Sequence, residues 1–120
     1  MDKNTTIADI KESVKNFCEE RDWDRFHNAK DLAIGISTEA NELLQIFRFK
    51  STDEIKALMN SVRRNEVEEE LADVFYFVIR FAQMNGIDLS KALNKKIESN
   101  ALKYPIDKVR GCNKKYNEYK

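Results

Sequence analysis

Apolar residues recur along this chain at helical spacing, not at the alternation of strands. Ile7, Ile10, Val14 and Phe17 are separated by three, four and three residues, which places them on one stripe of a helix running from about Thr6 to Glu20. The segment Arg21-Asp22-Trp23-Asp24-Arg25-Phe26-His27 breaks that period. Its mixture of rings and charges suits an ordered loop and makes it a candidate binding element. Asn28 is a good N-cap with Asp31 at the third helical position, and Leu32, Ile36, Leu43 and Phe47 carry a stripe along a second helix from about Ala29 to Phe49. Ser51-Thr52-Asp53-Glu54 has capping-box spacing and starts a short connecting helix through Ile55, Leu58 and Met59. A third helix is predicted from about Arg64 to Asn85, closed by Gly86 in a left-handed turn. Asp88 or Ser90 caps a fourth helix that carries Leu89, Leu93, Ile97 and Leu102 and ends before Pro105, since proline disfavours helical geometry in its predecessor. The lysine-rich tail from Ile106 to Lys120, with Tyr116 and Tyr119, is assigned no firm structure.

Strands need punctuation, and the chain has only 3 Gly and 1 Pro, so an all-α fold is expected. At 120 residues and 42% apolar content, one domain with one core is expected, with the core at about 6–105 and the polar tail at 106–120. Lys plus Arg number 21 and Asp plus Glu number 21, so net charge provides no drive toward nucleic acid or an anionic membrane. No apolar run approaches the roughly 20 residues that span a bilayer, and no signal-peptide core follows Met1, which leads to the expectation of a cytoplasmic protein. Cys18 and Cys112 lie far apart with no CxxC or Cys/His spacing, so neither a zinc site nor a disulfide scaffold is expected.

Two acidic repeats carry the chemistry. Glu39-Ala40-Asn41-Glu42 lies on the second helix and Glu70-Leu71-Ala72-Asp73 on the third, each with two carboxylates three residues apart on one helix face. On the third helix Val67, Leu71, Val74 and Val78 share a narrow sector, with Glu70, Asp73 and Phe77 on its flank. The second helix places Glu39, Glu42, Ile46 and Phe49 beside its own apolar stripe. Acidic runs are usually solvated faces, and Glu68 and Glu69 are read that way, whereas Glu66 shares the flank. If the two helices pack together, four carboxylates converge, and their repulsion calls for a counterion. An oxygen-only donor set selects a hard cation, because zinc would bring histidine or thiolate and a di-iron bundle would bring ExxH. The single histidine, His27, lies in the loop. Magnesium, with manganese as a substitute, binds through a few carboxylates plus substrate phosphates, so a phosphorylated substrate is implied.

The ExxE and ExxD pair on consecutive helices resembles the MazG-like nucleoside triphosphate pyrophosphohydrolases. The dCTP pyrophosphatase branch is more similar still, through Glu20-Arg21-Asp22-Trp23, Phe26-His27, Glu69-Glu70-Leu71-Ala72-Asp73-Val74 and Lys103-Tyr104-Pro105. The likeness runs from about Phe17 to Tyr116. It implies a four-helix bundle completed by oligomerisation, with Glu39, Glu42, Glu70 and Asp73 as metal ligands. It also implies a nucleotide site with Trp23 and His27, aromatic base-packing positions at Phe49 and Phe77, and nucleotide-facing positions at Lys96 and Asn100. Two departures are visible: Thr38 stands where the family often has a second acid before Glu39, and Phe49 and Phe77 replace rings with polar handles.

The expected reaction is magnesium-dependent hydrolysis of a nucleoside triphosphate, dCTP or a related or modified deoxynucleotide, to the monophosphate and pyrophosphate. Glu39 or Glu42 would orient or deprotonate the attacking water. Such an activity clears unwanted nucleotides from the pool. Alternatives are a non-enzymatic helical interaction module and a phosphoribosyl-ATP-type pyrophosphohydrolase. Apolar residues left over on the third helix, Phe75 and Ile79 among them, together with the resemblance, predict a homodimer or homotetramer.

Overall fold

The computed structural model describes residues 1–118; Tyr119 of the tail lies outside them. Among the described residues every regular element is helical, as the scarcity of Gly and Pro predicts. The chain forms two compact units, Met1–Gly86 and a second from Ile87 onward.

The first unit holds α1 (Ile7–Glu20), a 3-10 turn (Asp24–Phe26), α2 (Ala29–Phe47), α3 (Thr52–Met59) and α4 (Arg64–Met84). Local side-chain chemistry sets the helix starts. Thr6 and Asp9 form a reciprocal capping box at 3.0 Å in each direction, and Ser51 and Glu54 repeat it at 3.1 and 3.2 Å. Those backbone N–H groups hold the Asp9 and Glu54 carboxyls below the usual carboxylate range. The Asn28 side chain accepts from the Asp31 backbone N–H at 2.8 Å and opens α2. After α4, Gly86 turns the chain at φ +63°, a conformation that costs glycine nothing.

Helix α4 is central, packing along α2 and touching α1 and α3. Leu32, Leu58, Val67, Ile79 and Ala82 form the core with Cys18. Full burial of a Leu32 or Ile79 side chain contributes about 1.5–3 kcal/mol. Two expectations about α4 change. Leu71, placed in the buried stripe by its spacing, is 55% exposed, while Ile79, expected to be left for a partner, is fully buried within the unit. The long apolar run of α4 wraps most of the helix, so periodicity finds apolar sectors without saying which one α2 covers. Leu71 and Phe75 form the uncovered side and line a shallow cavity of about 940 Å³ with Ile7 and Ile10.

The end of α2 also differs from the expectation. The helix stops at Phe47, because Arg48 turns extended at ψ 134° and Phe49 takes the left-handed region at φ +66°. This two-residue break lets the chain reverse toward the Ser51 cap. Phe49 therefore leaves the helix flank and stands 92% exposed, with the Arg48 guanidinium 4.7 Å from its ring centre.

The second unit contains α5 (Leu89–Lys103) and a single helical turn, α6 (Ile106–Val109). Asp88, not Ser90, caps α5, accepting from the Lys91 N–H at 2.9 Å. The tail thus contains more structure than its composition indicates: Pro105 has φ -60° and ψ 137°, ends α5 and opens α6.

Candidate functional site

Packing of α2 on α4 brings carboxylates of Glu39, Glu70 and Asp73 together, with one oxygen from each lying within 4.8 Å of the other two. Glu39 and Glu70 are half-buried and Asp73 is exposed. Desolvation pushes the Glu70 carboxyl above its usual range, and the charges of Asp73, Glu39 and Glu42 push it further, aided by a hydrogen bond with Glu39. Glu42, the fourth expected acid, is not part of the close trio, although its charge is felt at Glu70. The trio offers only oxygen donors and its like charges repel, so it fits a hard divalent cation.

Beside the acids lies an apolar cleft of about 550 Å³. Val14 and Phe17 of α1, Trp23 of the loop, and Asp73, Tyr76 and Phe77 of α4 line it with Ser13 and Ala72. The rings form a linked set of edge-to-face pairs: Phe17 with Trp23 at 5.6 Å, Phe17 with Tyr76 at 6.2 Å, and Tyr76 with Phe77 at 5.0 Å. Asp73 belongs both to the carboxylate trio and to the cleft wall. Trp23 and Phe77 thus share a cleft with Asp73, and Val14 and Phe17, read from the sequence only as an apolar stripe, join them with Tyr76, which was not singled out. For Tyr76 the signal was available in its position three residues beyond Asp73. Burial raises the Tyr76 phenol well above its ordinary range, and it pairs with the Cys18 thiol at 3.1 Å.

Arg80 is the largest omission from the sequence-based reading. It is fully buried in α4, donating from Nε to His27 Nδ1 at 2.8 Å, from Nη1 to Gln83 Oε1 at 2.5 Å, and from Nη2 to Asp24 Oδ1. A lone cation inside Val74-Phe75-Tyr76-Phe77-Val78-Ile79-Arg80-Phe81-Ala82 was the signal, because such a charge must find buried partners. His27 is half-buried, with its ring 6.2 Å from that of Trp23, and is not among the cleft-lining residues. Phe49 is likewise absent from the cleft wall. Lys96 and Asn100 lie on α5 of the second unit, Lys96 exposed and Asn100 half-buried.

Among the described residues no helix is long and apolar enough to cross a membrane. Residues 34–119 match the MazG-like family. The dCTP pyrophosphatase 1 proteins of Rattus norvegicus and Homo sapiens are each 32% identical over 114 residues, spanning 94% of this chain and 67% of theirs. A crystal structure of a pyrophosphatase from Archaeoglobus fulgidus superposes with a TM-score of 0.77 at 35% identity, covering 82% of this chain and 91% of that one. An all-helical fold, two acidic motifs meeting across α2 and α4, and these likenesses agree: the chain belongs to the MazG-like family.

Proposed function

We propose that this protein is a nucleotide pyrophosphohydrolase that converts a deoxynucleoside triphosphate, dCTP or a related or modified nucleotide, to the monophosphate and pyrophosphate. Family membership and the dCTP pyrophosphatase relatives support the enzyme class. The observation that carries the reading is the double position of Asp73, in a carboxylate trio and in the wall of an aromatic cleft. Such a site takes a flat ring at one end and a polyanion with its cation at the other.

Glu39, Glu70 and Asp73, with Glu42 beside them, would hold magnesium or, as a substitute, manganese, which when bound neutralises triphosphate charge and makes water easier to deprotonate. Glu39 or Glu42 orients the attacking water and accepts its proton. The water oxygen bonds to phosphorus as the bridging P–O bond breaks, so no covalent intermediate on the protein is required. Trp23 and Phe77 hold the base by their ring faces. His27, Phe49, Lys96 and Asn100 enter as nucleotide contacts through the resemblance of their positions alone. The exposed Leu71 and Phe75 support a homodimer or homotetramer. The setting is a cytoplasmic nucleotide pool.

The test is a panel of triphosphates assayed with magnesium for pyrophosphate against orthophosphate release. Pyrophosphate from one or more deoxynucleotides supports the reading. Release from phosphoribosyl-ATP alone, or none at all, overturns it.

A further inference from the structure

Arg80 is fully buried, yet two of its three side-chain hydrogen-bond partners belong to the loop between α1 and α2. A guanidinium is a rigid fork of donors, so it fixes the relative placement of whatever accepts from it. Its Nη2 holds Asp24, the residue directly after Trp23, and its Nε holds His27, four residues after Trp23. Between those two anchor points lies the 3-10 turn Asp24–Phe26, which leaves the loop little freedom. Nη1 donates to Gln83 on the same helix, one turn further along, which ties the fork to α4. Among the described residues no buried side-chain polar atom lacks a partner, so this network is complete as built.

A buried ion pair needs only one acid, and Asp24 alone would serve that purpose. The second contact, to the His27 ring, is what a purely structural bridge does not require. His27 accepts at Nδ1, so its ring proton sits on Nε2 and the ring is held in one orientation beside the Trp23 indole, 6.2 Å away and inclined by 58°. Trp23 in turn lines the cleft together with Asp73, Tyr76 and Phe77 of α4.

We infer that Arg80 is a positioning residue for nucleotide recognition: through Asp24 and His27 it holds Trp23 in the wall of the cleft that Phe77 also lines. This inference rests on the pyrophosphohydrolase reading, because it assigns the cleft to the base. It differs from that reading in being testable on the free protein. By this account Arg80 does not touch substrate and acts only through Asp24 and His27 of the loop.

Trp23 is the single tryptophan, so its fluorescence reports the loop directly. The variants are Arg80→Lys, which keeps the charge and loses the fork, and Asp24→Asn, on a half-exposed side chain whose change leaves the core intact. Both are expected to make Trp23 more accessible to acrylamide and less rigid by anisotropy. Each should raise KM for the triphosphate about tenfold, the effect of one lost charge-assisted hydrogen bond, with kcat little changed. Should Arg80→Lys fail to fold, Asp24→Asn decides. Parent-like fluorescence in the folded variants overturns the inference, as does altered fluorescence with unchanged KM or a loss confined to kcat. If the parent hydrolyses no triphosphate, the pyrophosphohydrolase reading falls. The inference then loses its substrate and falls with it, while altered quenching would still show that Arg80 holds the loop.

Discussion

Gly35 on α2 lies directly against the ring of Phe77 on α4: a β-carbon built at residue 35 would stand 2.5 Å from Cδ1 and Cε1 of that ring. This contact lets Phe77 lie close to α2 while still lining the cleft. Gly35→Ala therefore sets two effects against each other. Alanine in a helix interior is favoured over glycine by about 1 kcal/mol. Overpacking a ring typically costs about 1–3 kcal/mol. The expected outcome is little change or a modest loss of thermal stability, with a KM for the triphosphate raised severalfold because Phe77 must turn. An unaltered KM would show that Phe77 does not touch the base.

The aromatic wall predicts a distinct kinetic signature for Trp23→Ala. Stacking of a base on a ring is worth about 1–3 kcal/mol, so KM should rise by about 5- to 150-fold with kcat less affected. Steady-state kinetics on the preferred triphosphate provide the check. A fall in kcat at constant KM would return Trp23 to a packing role, in keeping with its edge-to-face contact with Phe17.

Much of this arrangement was legible in the sequence, for identifiable reasons. Capping chemistry is local, so Asn28 and Ser51 marked helix starts that the structure reproduces. Glu39, Glu70 and Asp73 followed from helical spacing plus the packing of two neighbouring helices. The misplaced residues depend on partners remote in sequence. Leu71 and Ile79 exchanged roles because α4 is apolar around most of its surface. Arg80 takes its meaning from Asp24 and His27, more than fifty residues earlier. Phe49 depends on one backbone angle that no periodicity encodes.

Charge repulsion within the acids predicts opposite effects of Glu70→Gln on stability and on activity. The Glu70 carboxyl is raised in the folded protein, so without metal its contribution to stability is full below the ordinary carboxylate range of about 4.3 and lost as pH rises through the folded value. At neutral pH the metal-free protein carries that loss, and the amide removes it. Metal-free Glu70→Gln should melt at or above the parent temperature. Magnesium should raise the parent melting temperature, by about 2.7 kcal/mol of stability at a hundredfold excess over Kd, and raise the variant much less. Hydrolysis by the variant should be lost. Calorimetry with chelator and with magnesium checks both arms, and a parent unmoved by magnesium would remove the metal assignment.

The Arg80 contact to His27 makes a prediction of the opposite pH sense. Desolvation lowers the His27 pKa, and the Arg80 charge lowers it further, against smaller opposing effects of Asp24 and Asp31. The ordinary histidine value is about 6.5, so the unfolded chain takes up a proton before the folded one does. Stability from this residue is therefore complete above about 6.5 and is lost as pH falls from there to the lower folded value. Asp9 and Glu54, both lowered, titrate beneath this window, while Glu70 acts in the opposite direction and must be separated. Comparison with His27→Gln does so, since that variant retains every carboxylate. The parent should lose more stability than His27→Gln between pH 7.5 and 5. Because His27 is the only histidine, its ring resonances should titrate below 6.5, with Nδ1 unprotonated at neutral pH. A midpoint at or above 6.5 would mean that Arg80 does not hold this ring.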